Sequence, residues 1–267
     1  MARQSDDASS SGEERIDWRR YVAEFHRDRA GVAEAVLSRA MSGDHSPYRW
    51  LARAVSVNAS TVVDLACGSG PMSRELARPG RMVVGVDLAA SELALAADRG
   101  PGPWVQADAL QLPFADGSVD AVTSSMGLVV VTPLTQVMAE VARVLRPGGV
   151  LAAIAPAVRP LGPRDLRVLS RITGRLHTKP QFPGRIELTG FAKTLRLHGL
   201  SKVEDGRQRY HFTVADREDA KLVLSALYLP TTRWSRVEAG IELLEDRVAK
   251  RGPVDIAIPM RRLVAIK

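Results

Sequence analysis

Val62-Val63-Asp64-Leu65-Ala66-Cys67-Gly68-Ser69-Gly70 is an apolar run that breaks into a glycine-rich turn, and a helical pattern follows from Pro71. The pattern predicts a buried strand, a tight turn and a helix. Glycines let the main chain approach a ligand closely, and the helix that follows offers free N–H groups. Many nucleotide-binding enzymes use the same device, with glycines at the first, third and sixth positions. Here Ser73 stands at the sixth position from Gly68, and Asp64 precedes the turn, where a carboxylate repels a pyrophosphate. A ligand with an amino group and no phosphate suits the stretch better.

Short apolar runs alternate with helical ones beyond this point. Strands are expected at 61–65, 82–87, 105–107, 121–124 and 150–155, and helices at 71–77, 91–98 and 134–145. A Pro-Gly-Gly turn spans 146–149. This alternation implies a doubly wound α/β fold, a largely parallel sheet with helices on both faces. Further on, helices are expected at 164–176, 188–197, 217–228 and 236–250. Strand-like segments fall at 201–204 and 209–214, with a last strand at 254–258 or 262–266. Before the glycine turn, residues 15–55 carry helical stripes and read as an N-terminal cap, and the polar, serine-rich residues 1–14 read as a disordered tail. Residues 56–267 then form one catalytic domain, with lid helices near 163–176 and 216–250.

The chain has 267 residues, 45% of them hydrophobic, enough for one filled α/β core with an accessory cap. No run reaches the roughly 18 apolar residues a membrane span needs, and the start lacks a signal peptide's apolar segment. A soluble cytoplasmic protein without a membrane partner is the expectation. The single cysteine, Cys67, rules out a disulfide framework or a Cys-rich zinc site, and no metal is expected. The formal charge is +7, and its basic excess concentrates between Arg159 and Arg209. That excess is either a set of solvated helix faces or a phosphate-binding patch.

Asp87, followed by Leu88, ends the second expected strand. A carboxylate there can accept from two ribose hydroxyls, or can cap the next helix. Asp108, after the third strand, can accept from an adenine amino group while the Ala109 N–H reaches a ring nitrogen, or can cap a turn. Asp120 heads the fourth strand, away from the ligand-binding edge, and reads as structural.

The block Asp64-Leu65-Ala66-Cys67-Gly68-Ser69-Gly70, Gly85-Val86-Asp87, Ala107-Asp108-Ala109, Leu112-Pro113-Phe114, Asp116-Gly117-Ser118-Val119-Asp120-Ala121 and Leu145-Arg146-Pro147-Gly148-Gly149 resembles the class I methyltransferases, in their ubiquinone/menaquinone-methylase-like branch. The resemblance implies a seven-stranded Rossmann-like sheet and S-adenosylmethionine as cofactor, leaving as S-adenosylhomocysteine. It places Ala66, Gly68 and Gly70 near the methionine end, Asp87 on ribose, Leu88 beside the cofactor, Asp108 and Ala109 on adenine, and Ser124 to Met126 on the pocket floor. The cap residues Tyr21, Phe25-His26, Arg29-Ala30-Gly31, Glu34 and Ser46-Pro47-Tyr48-Arg49-Trp50-Leu51 are similar to the opening of actinomycete natural-product methyltransferases, among them indole C3-methylating enzymes of alkaloid biosynthesis.

Methyl transfer from a sulfonium is an in-line displacement, so the protein aligns the acceptor and removes a proton. The segment Ser124-Ser125-Met126-Gly127 lacks the Asn/Asp-Pro-Pro-aromatic signature of base-amine methylation, and Cys67 sits in the glycine turn rather than where cytosine C5 chemistry needs a nucleophile. The expected acceptor is a small, aromatic natural product. The alternative is an RNA met by the basic 159–209 segment. Tyr21 and His26 are the candidate base or its relay, with packing residues of the cap as the bland reading. Arg29 either pairs with the cofactor carboxylate or lies on the surface. Tyr210 and His211 are further candidates to face the acceptor. The helix expected at 217–228 either roofs the pocket or makes a homodimer face.

Overall fold

The computed structural model describes residues 16–267, so the tail expected at 1–14 and the first cap residue, 15, lie outside the described residues. The cap contains α1 (Trp18–Asp28), α2 (Val32–Leu37) and α3 (Pro47–Ala52). Asp17 caps α1 by accepting from the Arg20 N–H, and Ser46 caps α3 in the same way, with Pro47 in its first turn.

Seven strands follow: β1 (Thr61–Leu65), β2 (Met82–Asp87), β3 (Trp104–Gln106), β4 (Val119–Ser125), β5 (Leu145–Pro156), β6 (Ser201–Val214) and β7 (Val254–Ile266). Between them lie α4 (Pro71–Leu76), α5 (Ala90–Arg99), α6 (Leu134–Val144), α7 (Pro163–Leu176), α8 (Phe191–Leu197), α9 (Arg217–Ser225) and α10 (Trp234–Arg251). The sheet order is β3-β2-β1-β4-β5-β7-β6. The first five strands are parallel, while β7 runs antiparallel to both β5 and β6. Strand order reverses between β1 and β4, and at such a reversal ligands bind beyond the carboxyl ends of the strands.

Side-chain alternation splits the core across the sheet. Val63, Leu65 and Val122 face α6 and α8, while Val62, Ala121 and Ile154 face Tyr48, Trp50, Leu51 and Met72 of α3 and α4. A third core joins Phe212, Val214, Val254 and Ile256 to Ile172, Leu176, Val223 and Ile241 of α7, α9 and α10.

The structure corrects four expectations in this half of the chain. The two strand-like segments at 201–204 and 209–214 are one strand, and the alternatives 254–258 and 262–266 are also one. Gly206 and Pro259 do not interrupt them: Gly206 pairs with Arg262 and Pro259 with Arg209. Regular pairing of β5 with β7 ends at Pro156 and Met260; beyond it the Pro259 carbonyl still accepts from the Ala157 N–H at 2.8 Å, and the ladder ends there because Pro259 has no N–H to return. The outer half of the hairpin thus projects past the sheet and carries the lid helices. Tyr210 lies inside β6, fully buried against Trp50, and does not face an acceptor. The helix expected to reach Tyr228 ends at Ser225, which frees Tyr228 to turn inward.

The Pro-Gly-Gly turn is an insertion within β5. Val119 pairs with Leu145 and Ala121 with Val150, so residues 146–149 loop out between those pairs. Asp120 is structural, as expected. It accepts from the Ser60 and Thr61 N–H groups and pairs with Arg146 at 2.7 Å.

Candidate active site

Gly68 and Gly70 have φ of +54° and +78°, and Ala66, which has a Cβ, is held at +53°. A Cβ at Gly70 or Gly85 would lie 2.5 Å from the Trp104 ring, which wedges beneath the turn from β3. Across the crevice Met126 is at φ +69°, and a Cβ at Gly127 would lie 2.5 Å from the Ala66 Cβ and 2.7 Å from the Ser124 Oγ. Non-glycine residues forced into the left-handed region where two strand ends meet are the strain expected beside a bound ligand.

Carboxylates converge on this turn. Asp64 is fully buried, accepts from the Ser73 and Thr123 hydroxyls at 2.7 and 3.1 Å, and is pushed up to about 7 by burial. Asp87 accepts from the Gly68 N–H at 2.7 Å and the Ala89 N–H at 2.9 Å, yet burial still holds it above the ordinary carboxylate range. Glu92 is 2% exposed, accepts from the Gly31 N–H at 3.0 Å and lies 3.6 Å from the position of a Cβ on Gly68. Glu34, from the cap, accepts from the Ser69 hydroxyl and Arg74 at 2.6 Å and from Arg99 at 2.5 Å. Burial opposes its ionisation, but the Ser69 and Arg74 bonds prevail and its pKa is lowered. Asp87 and Glu92 favour a cation over a phosphate here, whereas Glu34 is balanced by Arg74 and Arg99 and burial favours the protonated form of Asp64.

His26 stands between the turn and the lid. Its Nδ1 is 2.7 Å from Glu92 Oε1, and its Nε2 is 2.6 Å from the Tyr228 hydroxyl. A carboxylate only accepts, so the partners assign the proton to Nδ1 and leave Nε2 to accept from Tyr228. Tyr21 accepts from the Leu229 N–H at 2.8 Å, and its ring packs edge-on to Tyr228 at 5.7 Å. Trp18, Phe25 and Phe182 extend the same aromatic chain. Burial raises the pKa of both the Tyr21 and Tyr228 phenols.

The other expected site residues divide. Ala66, Gly68, Gly70, Asp87, Ser124 and Met126 come together at the crevice. Asp108 accepts from the Leu110 N–H at 2.9 Å and so caps its turn, next to the buried Ala109, while Leu88 is 58% exposed. Arg29 lies over the Phe25 ring, with its Nη1 3.2 Å from the Ser225 carbonyl. His211 pairs with the Met41 main chain and lies 3.7 Å from Asp165. Burial pushes the Cys67 thiol up, which suits packing and not nucleophilic chemistry.

Sequence reasoning missed Glu92 and Tyr228. Glu92 left a signal, since it shares the buried stripe of α5 with Leu93 and Ala96, where a carboxylate needs partners. Tyr228 left none, because it reaches His26 across 202 positions of chain.

Residues 63–153 match a family model described as a methyltransferase domain. Among curated proteins, the chain is 44% identical over 103 residues to a demethylmenaquinone methyltransferase of Beutenbergia cavernae, covering 38% of this chain and 43% of that one. It is 42% identical over 97 residues to a 2-phytyl-1,4-naphtoquinone methyltransferase of Thermosynechococcus vestitus, covering 34% and 43%. A demethylmenaquinone methyltransferase of Thermobifida fusca is 35% identical over 139 residues, covering 49% and 59%. The chain therefore spans about half the length of the curated relatives it matches. The YcgJ protein of Bacillus subtilis superposes with TM-score 0.58 at 18% identity, covering 82% of this chain and 97% of that one. The cyclase SpnF superposes with TM-score 0.59 at 17% identity, covering 92% and 94%. The fold is the seven-stranded Rossmann-like methyltransferase fold, and residues 63–153 match a methyltransferase domain, for which the expected cofactor is S-adenosylmethionine.

The residues present fit that cofactor. The Ser124 and Ser125 hydroxyls are buried without a hydrogen-bond partner among the described residues, at the end of β4 where the pocket floor is expected. The carboxylates around the turn match a cationic ligand.

Proposed function

We propose that this chain transfers a methyl group from S-adenosylmethionine to a small, planar aromatic acceptor that carries a removable proton. The observation that carries the reading is the convergence of Asp87 and Glu92 on a positive-φ glycine turn, an anionic cradle suited to a sulfonium donor. The donor supplies an electrophilic methyl group. Asp87, with two of its lone-pair positions occupied by main-chain N–H groups, keeps two for the ribose hydroxyls. Ala66, Gly68 and Gly70 line the methionine end, Asp108 and Ala109 the adenine, and Ser124 and Met126 the floor.

For the acceptor, the Tyr228 oxygen receives the proton as its own O–H proton passes to His26 Nε2, and Glu92 stabilises the resulting imidazolium through Nδ1. Tyr21 holds the lid segment through Leu229. The quinone substrates in the relatives' names and the cap's likeness to indole C3-methylating natural-product enzymes share a bicyclic aromatic acceptor, and the Trp18, Tyr21, Phe25, Phe182 and Tyr228 rings suit its faces.

Titration calorimetry with the donor and its demethylated product tests the cradle. Both should bind the wild type, and Asp87→Ala should weaken both by roughly tenfold to a hundredfold, through loss of hydrogen bonds to a charged group. Absence of heat with the wild type, or unchanged affinity in the variant, would remove this reading.

A further inference from the structure

Arg164, Arg167, Arg171 and Arg175 are all exposed on α7. Their spacing of three, four and four places them in one stripe roughly 16 Å long. Nearby arginines on β6 and α9 are paired: Arg207 with Glu187, Arg209 with Asp165, and Arg217 with Glu238 and Glu245. None of the four on α7 has an acidic partner among the described residues. The helix's own acid, Asp165, is buried and occupied by Arg209. The Nη1 of Arg236 lies 3.0 Å from Nε2 of His177, which sets the start of α10 against the end of α7 and brings the exposed Arg233 alongside. Trp234, the first residue of α10, is 53% exposed.

We propose that this face, the outer side of α7 with the start of α10, docks on an anionic lipid bilayer. Basic groups near such a surface each contribute about 1 kcal/mol, and tryptophan partitions to the headgroup level. The exposed half of one helix is a convex ridge that can lie tangent to a plane. It has neither the groove nor the row of stacked rings that a single-stranded nucleic acid requires. No helix among the described residues is long and apolar enough to cross a membrane, and the sequence-based expectation of no membrane partner rested on that test. Peripheral attraction uses charge instead.

The same face leads to the aromatic chain. The Gln181 N–H, just after α7, donates to the Tyr228 carbonyl at 3.0 Å, and the Phe182 ring lies 5.7 Å from the Tyr228 ring. Docking would therefore turn the acceptor mouth toward the bilayer. That corollary rests on the methyl-transfer reading, whereas the docking does not.

Co-sedimentation of the full chain with phosphatidylglycerol/phosphatidylcholine vesicles tests it. Binding should require phosphatidylglycerol and fade at high salt. Arg167→Glu with Arg171→Glu should lower partition roughly tenfold or more. Arg196→Glu, exposed on α8 at the opposite face of the sheet, should leave it unchanged. Three outcomes overturn the proposal: no phosphatidylglycerol-dependent binding at low salt, wild-type partition in the double variant, or tighter retention of single-stranded RNA than of vesicles at physiological salt. Donor calorimetry on the same samples separates the two readings. Donor binding without vesicle binding removes docking alone, and the reverse removes methyl transfer alone.

Discussion

At the scale of single residues, the site depends on carboxylates held where water does not reach. Between about pH 4 and about pH 7, folded Asp64 keeps a proton that the unfolded chain has released, so its contribution to stability falls as pH rises through that window. Asp64→Asn lacks this dependence. The unfolding free energy of the variant minus that of wild type, measured by denaturant titration without donor, should rise by up to a few kcal/mol from pH 5 to pH 8. A flat difference would show that Asp64 is ionised in the fold at both values. The proton relay makes a separate prediction. His26→Ala and Tyr228→Phe should lower kcat by about 100-fold or more, and Glu92→Gln by less, while donor affinity by calorimetry stays within a few fold for the Tyr228 variant. Wild-type kcat in both His26→Ala and Tyr228→Phe would reduce these groups to packing.

At the scale of elements, the crevice exists because the ends of β1, β2 and β4 approach more closely than side chains allow. Gly70 combines φ +78° with a Trp104 ring 2.5 Å from its missing Cβ, whereas Gly80 combines φ +76° with open space. Gly70→Ala should therefore cost about 2–4 kcal/mol, strain plus overpacking, and Gly80→Ala only the strain, about 1 kcal/mol. Thermal unfolding of the pair measures the difference, and equal losses would mean that Trp104 yields freely. The strand, turn and helix of this region were legible because Val62, Val63 and Leu65 form a short apolar run interrupted only by Asp64 and the turn residues carry their own conformational demand. The outer hairpin was not legible. Gly206 and Pro259 are breakers by local rule, and Pro259 is accommodated because it falls at the last β5 contact, where its carbonyl accepts from Ala157 and no further N–H is needed.

At the scale of the whole molecule, three cores join the sheet, the cap and the lid, and the site lies where they meet. A donor that binds only this assembled state should raise its stability by about 2.7 kcal/mol at a hundred times Kd, a shift in Tm of about 5–10 °C for a chain of this size. Differential scanning fluorimetry measures it, and an unmoved Tm at saturating donor would contradict a site built across the three. The sequence by itself determined the parallel half of the sheet, the glycine turn and the acid at the end of β2, because hydrophobic period, turn chemistry and capping act over a few residues. Only the tertiary structure decided the partners of His26, the depth of Glu92 and the inward turn of Tyr228. Those contacts join positions 26, 92 and 228, and nothing in the residues between them records that folding brings the three within hydrogen-bond reach.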